Sequence, residues 1–165
     1  MDAQKPGLLK SFGIAVVVMM VIALFVVGLG ALKLPYWPFV FFLFAITTLS
    51  KMTKDGWVDT FVGGLIGLLV GLSQIILGKF LGQTVGLIVM LVLIILLITL
   101  LINGKFKYTN VPCLFVLTAV SAFTATITFE MIVPILLSFL LGATLFGGIV
   151  LVLYSMGKKK AMKAN

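Results

Sequence analysis

Leu87-Ile-Val-Met-Leu-Val-Leu-Ile-Ile-Leu-Leu-Ile98 decides the fold class. Nothing in it alternates between apolar and polar, as a β-barrel strand would over about ten positions. A helix that is apolar all round needs no water-facing side, and it satisfies its backbone hydrogen bonds internally in lipid. Working outward, the run belongs to an apolar block from Phe80 to Gly104, bounded by Lys79 and Lys105. From Gly86 to Leu101 its one polar side chain is Thr99, so it reads as a peripheral, lipid-facing span.

Charges cut the rest of the chain in the same way. The other blocks are Ser11 to Leu32, Leu34 to Ser50, Thr60 to Gly78, Tyr108 to Phe129 and Met131 to Gly157. Each approaches the roughly 20 residues that a crossing requires. The expectation is an all-α polytopic membrane protein with six transmembrane helices in a single integral membrane domain, residues 1–165. Composition agrees: 62% of the 165 residues are hydrophobic and 10% are charged, and the mean hydropathy is +1.35. A water-soluble domain is excluded.

With six spans the termini share one side. Ten lysines, at 5, 10, 51, 54, 105, 107, 158, 159, 160 and 163, then face Lys33 and Lys79 on the other. Positive charge stays inside, so the sequence predicts a bacterial cytoplasmic (inner) membrane protein with both termini cytoplasmic. Tyr36, Trp37, Trp57, Tyr108 and Tyr154 fall near span ends, as an aromatic belt would. The first block is too long for an ordinary signal-peptide core and reads as an uncleaved helix. Neither end carries a lipidation signature.

A net charge of +8 invites a nucleic-acid reading, but the lysines lie in loops and tail without interleaved aromatics, so no nucleic-acid partner is expected. The expected partners are the bilayer itself and anionic lipid at the tail from Lys158 to Lys163; a homo-oligomer is compatible with the sequence. Histidine is absent and Cys113 is the single cysteine. No metal, cofactor or disulfide is expected, and Cys113 reads as a packing residue. Asp55 and Asp59 open the third block and Glu130 the sixth, where carboxylates favour a helix start. Their alternative role is a charged mouth, Asp55 or Asp59 inside and Glu130 outside, attracting cations or accepting hydrogen bonds from an amide-like solute. With no acid, histidine or paired nucleophile at depth, an enzyme is not expected.

Gly63, Gly67 and Gly71, four residues apart, make a flat stripe suited to close helix packing, and Ser138 with Gly142 does the same in the last block. The second and fifth blocks each open with proline and gather hydroxyls later. A shift of 74 residues lays Pro38 on Pro112, Phe41 on Phe115, Ala45 on Ala119, Thr47 on Ser121 and Ser50 on Thr124; one residue more lays Gly63 on Ser138 and Gly67 on Gly142. This predicts two inverted three-helix repeats, about 11–78 and 80–157, of the kind found in transporters and some channels. Thr47, Ser50, Ser121 and Thr124 become the candidate pore or solute-binding residues.

Leu34-Pro-Tyr-Trp-Pro-Phe-Val, Val62-Gly-Gly-Leu-Ile-Gly-Leu-Leu-Val-Gly, Val111-Pro112, Ala122-Phe-Thr124 and Pro134-Ile-Leu-Leu-Ser-Phe-Leu-Leu-Gly142 resemble the small bacterial inner-membrane proteins grouped as DUF1097, over roughly residues 30–150. Lys51-Met-Thr-Lys-Asp-Gly-Trp57 departs from that family's glycine-rich turn. The resemblance implies a six-span architecture and supplies no functional residue. Two functions stand as expectations: a channel or facilitator for a small neutral or weakly polar solute, handled by hydroxyls and backbone, or a non-catalytic membrane partner subunit of an uptake complex.

Overall fold

The computed structural model describes residues 8–46, 53–105, 109–123 and 126–163, and these form helices joined by short turns, with no strand among them. The helices are α1 (Leu8–Ala31), α2 (Trp37–Phe44), α3 (Lys54–Leu81), α4 (Gln83–Ile102), α5 (Val111–Phe123) and α6 (Ile132–Lys163), with one 3-10 turn, Phe129–Met131, leading into α6. Three stretches are long and apolar enough to cross a membrane: Asp55–Leu81, Gln83–Ile102 and Phe129–Ile149. Met19–Ala31 and Val111–Ala122 are apolar but shorter.

Caps, rather than the charges that bounded the apolar blocks, set the helix starts. Thr53, extended at φ −120° and ψ 167°, accepts the Gly56 N–H on its hydroxyl at 3.1 Å. That cap starts α3 six residues before Thr60 and puts Lys54 and Asp55 inside its first turn, while Lys79 sits in its last. At α2 and α5 a proline occupies the second helical position, where its missing N–H has no partner to lose. The hairpin from α3 to α4 turns on Gly82 at φ +94°, a conformation that favours glycine.

Contacts fix the directions. Gly63 lies beside Asn110, Gly67 beside Leu114, and Gly71 beside Thr118 and Ser121, so α3 and α5 run in the same sense. Phe80 meets Phe129, Phe61 stacks on Phe139, and Trp57 reaches Ala143, so α6 runs the opposite way. Gly86 of α4 fits against Gln74 and Gly78 of α3. The outer face of α4, including Ile88, Val92, Ile95 and Leu96, is exposed, in keeping with the lipid-facing role expected for this span.

The first two helices depart from the expected plan. Phe25 of α1 packs on Phe39 of α2 (centroids 4.5 Å apart) and on Phe146 of α6 (6.2 Å). Phe146 stands seventeen residues, about 25 Å at 1.5 Å per residue, beyond Phe129, which carries Lys79 Nζ 3.8 Å over its ring. The six residues from Phe25 to Ala31 cover only about 9 Å. Lys33 therefore stays well short of the Lys79 end, although the charge count had put the two lysines on one face. A helix of 8 residues, α2, rises about 12 Å against a hydrocarbon core of about 30 Å. Its α-helical turns give way to a π turn at Ala45 and Ile46, both buried.

Candidate functional site

The α3–α5 seam is a backbone-to-backbone fit. A Cβ built at Gly63 would stand 2.5 Å from the Asn110 carbonyl oxygen; at Gly67 it would strike the Leu114 carbonyl, and at Gly71 the Ser121 hydroxyl. The stripe read from the sequence is thus a packing surface for α5, as expected of small residues in membrane bundles. Ser121, fully buried, donates its hydroxyl to the Leu117 carbonyl at 2.6 Å and lies 3.2 Å from that of Thr118. Thr118 donates to Leu114 at 2.8 Å. Both hydroxyls are spent on their own helix, and that of Ser121 faces Gly71. Ser121 lines no polar path here. Of the other pore candidates, Thr47, Ser50 and Thr124 lie outside the described residues.

Asn110 anchors this seam. Its backbone N–H donates to the Asp59 carbonyl at 2.9 Å. Its side-chain oxygen accepts the Cys113 N–H at 3.1 Å, and its amide nitrogen donates to Thr60 Oγ1 at 3.1 Å. Thr60 in turn donates to the Gly56 carbonyl at 2.7 Å. One buried side chain therefore caps α5 and ties it to α3, which satisfies polar groups that lipid would leave unpaired. Neither Asn110 nor Thr60 stood out among the candidates, although Asn-Val-Pro at 110–112 is a helix-start signature. Cys113 is buried behind this cap, in the packing role expected of it.

The α2–α6 seam is built on side chains instead. A Cβ at Gly142 would stand 2.6 Å from the Phe39 ring and 2.9 Å from its Cβ. Phe42 meets Phe139 edge-on with centroids 5.5 Å apart. As α2 advances from 39 to 42 its partners step back along α6 from 142 to 139, so this pair runs in opposite senses, unlike α3 and α5. Trp57 closes the lower part of the groove. Its Nε1 donates to the Ala143 carbonyl at 3.0 Å, and its ring occupies the place a side chain at Gly147 would take. Within this wall of rings Ser138 is fully buried, and its hydroxyl has no hydrogen-bond partner.

The carboxylates sit at the two ends of α3. Asp55 is exposed in its first turn and Asp59 is half-buried one turn later, while Glu130 is exposed in the 3-10 turn at the Phe80 end. They do not converge. Among the described residues no three acids, cysteines or histidines are grouped closely enough to hold a metal ion. No protein-family model, curated protein or solved structure matches this chain.

Proposed function

We propose that the chain is an integral membrane protein acting as a channel or facilitator for a small, neutral or weakly polar solute. The observation that carries this reading is α2, whose two α-helical turns widen into a π turn at the buried Ala45 and Ile46, a distortion often found at functional sites. Irregular backbone at membrane depth is tolerated where it is enclosed by protein or lines a cavity, and short or interrupted helices mark the solute sites of transporters. Thr47 and Ser50 follow directly on α2, and Thr124 follows directly on α5, so the reading keeps these three as solute contacts and releases Ser121 to packing. With no charged residue between Lys33 and Lys51 or between Lys107 and Glu130, hydroxyls and carbonyls do the coordination, which suits a solute that sheds water cheaply.

Membership in the DUF1097 group, and a cytoplasmic-membrane location with the α3 start and the α6 lysines inside, belong to the same reading. Two three-helix units are supported by the 74-residue spacing of the α2 and α5 starts and by the similar extended caps at Thr53 and Thr128. The opposite senses of the two seams count against an inverted relation between those units. Replacing Thr47 and Thr124 together by valine should abolish solute-driven volume change of proteoliposomes, measured by stopped-flow light scattering with urea and glycerol; undiminished flux removes these residues from the path.

A second reading, a non-catalytic partner subunit, is favoured by the ring-filled interior, where Phe39, Phe42 and Phe139 are completely buried. Purification from native membranes in mild detergent separates the two. Stoichiometric retention of an ATPase or coupling protein supports the subunit, whereas flux from the isolated chain supports the facilitator.

A further inference from the structure

Six hydroxyl side chains on the described helices share one hydrogen-bonding pattern, and the buried Ser138 stands apart from it. Thr60, Ser73, Thr99, Thr118, Ser121 and Thr144 each donate to a carbonyl three or four residues back in their own helix, at 2.6–2.8 Å for the shortest bond of each. This is the default outlet for a helical hydroxyl with nothing else to bind. Ser138 does not take it. It is completely buried, and its oxygen has neither donor nor acceptor. A buried polar atom left this way is destabilising, and alanine would fill the same space without the loss.

Its surroundings explain how such a group can be used. Ser138 lies one turn before Gly142, where Phe39 rests, and next to Phe139, against which Phe42 stands. At both of these neighbours of Ser138 the α2 partner is a phenyl ring, not backbone, and rings can swing aside without breaking a main-chain hydrogen bond.

We propose that Ser138 is a solute-binding residue, its hydroxyl hydrogen-bonding a small neutral amide or alcohol as that solute passes between α2 and α6. This rests on the facilitator reading above and replaces the packing role expected of Ser138. A hydroxyl supplies one donor and two acceptor positions. That matches the amide of urea or the hydroxyls of glycerol, and it falls far short of what a desolvated ion would need.

The test is Ser138→Ala, with Ser138→Gly beside it should alanine fail to fold, each reconstituted at the same protein density as wild type. Urea and glycerol flux should fall at least fivefold while the melting temperature in detergent holds or rises. Flux unchanged from wild type removes Ser138 from the path and leaves the facilitator reading standing. A lowered melting temperature together with unchanged flux assigns the hydroxyl a structural role and overturns the proposal. If wild type itself passes neither solute, the proposal and the reading it rests on both fall.

Discussion

The α3–α5 and α2–α6 seams are both built on small residues spaced one turn apart, yet they close in different ways. In the first, glycine meets backbone: Gly63, Gly67 and Gly71 face carbonyls and a hydroxyl already committed to its own helix. In the second, Gly142 meets the ring of Phe39, and the serine beside it is left without a partner. Contact with backbone leaves nothing that can give way, whereas a ring can rotate. The contrast separates a scaffold seam, where every polar group is satisfied, from an adaptable seam, where one is not. Function is assigned to the second.

The largest effect that would break this contrast is expected at Gly67. Gly67→Leu forces the α5 backbone away from α3 and should cost more than about 3 kcal/mol, the upper part of the overpacking range, read as loss of a monodisperse peak in size-exclusion chromatography. If Gly67→Leu behaves like wild type, the seam is not closed as described. Asn110→Ala comes next. It removes the α5 cap and the bond to Thr60, so about 2 kcal/mol is expected from capping losses, seen as a lower melting temperature that Asn110→Asp restores only in part because Thr60 loses its amide donor.

How much of this was legible in the sequence depends on whether the signal was local. The glycine stripe was readable because a four-residue period places small residues on one helix face, and the structure puts α5 on it. The peripheral, exposed place of α4 was equally readable from its uniform apolar side chains. Helix ends were less so, since the charges used as boundaries can lie inside a capped first turn, as Lys54 and Asp55 do. The change from α to π turns after Phe44 has no local signal, because Phe41, Phe42, Leu43 and Phe44 would continue an α-helix as readily as distort one. Pairing of Trp57 with Ala143, 86 residues away, and the unpaired state of Ser138 are tertiary facts that no spacing encodes. Ser121 looked like a pore residue because hydroxyl content does not reveal whether a hydroxyl is already spent.

Two smaller changes sharpen the contrast from the α6 side. Trp57→Phe keeps the ring stacked on Phe61 but loses the bond to the Ala143 carbonyl, so a loss of about 1 kcal/mol is expected, visible as a modest drop in melting temperature. Gly142→Ala should be milder than Gly67→Ala, because the added methyl displaces the Phe39 side chain, Cβ included, where at Gly67 it meets the α5 main chain, and a melting experiment that ranks them the other way would erase the distinction between the seams. Gly148→Ala, with nothing within 4 Å of the added methyl, should be neutral or stabilising by up to about 1 kcal/mol through helix propensity.

The most direct comparison is of Ser121→Ala and Ser138→Ala in one reconstituted flux assay with urea. Ser121 donates to its own helix against Gly71, so its alanine variant should transport like wild type, while Ser138→Ala should lose at least fivefold. Flux lost at Ser121 and kept at Ser138 would contradict the assignment of scaffold and adaptable seams.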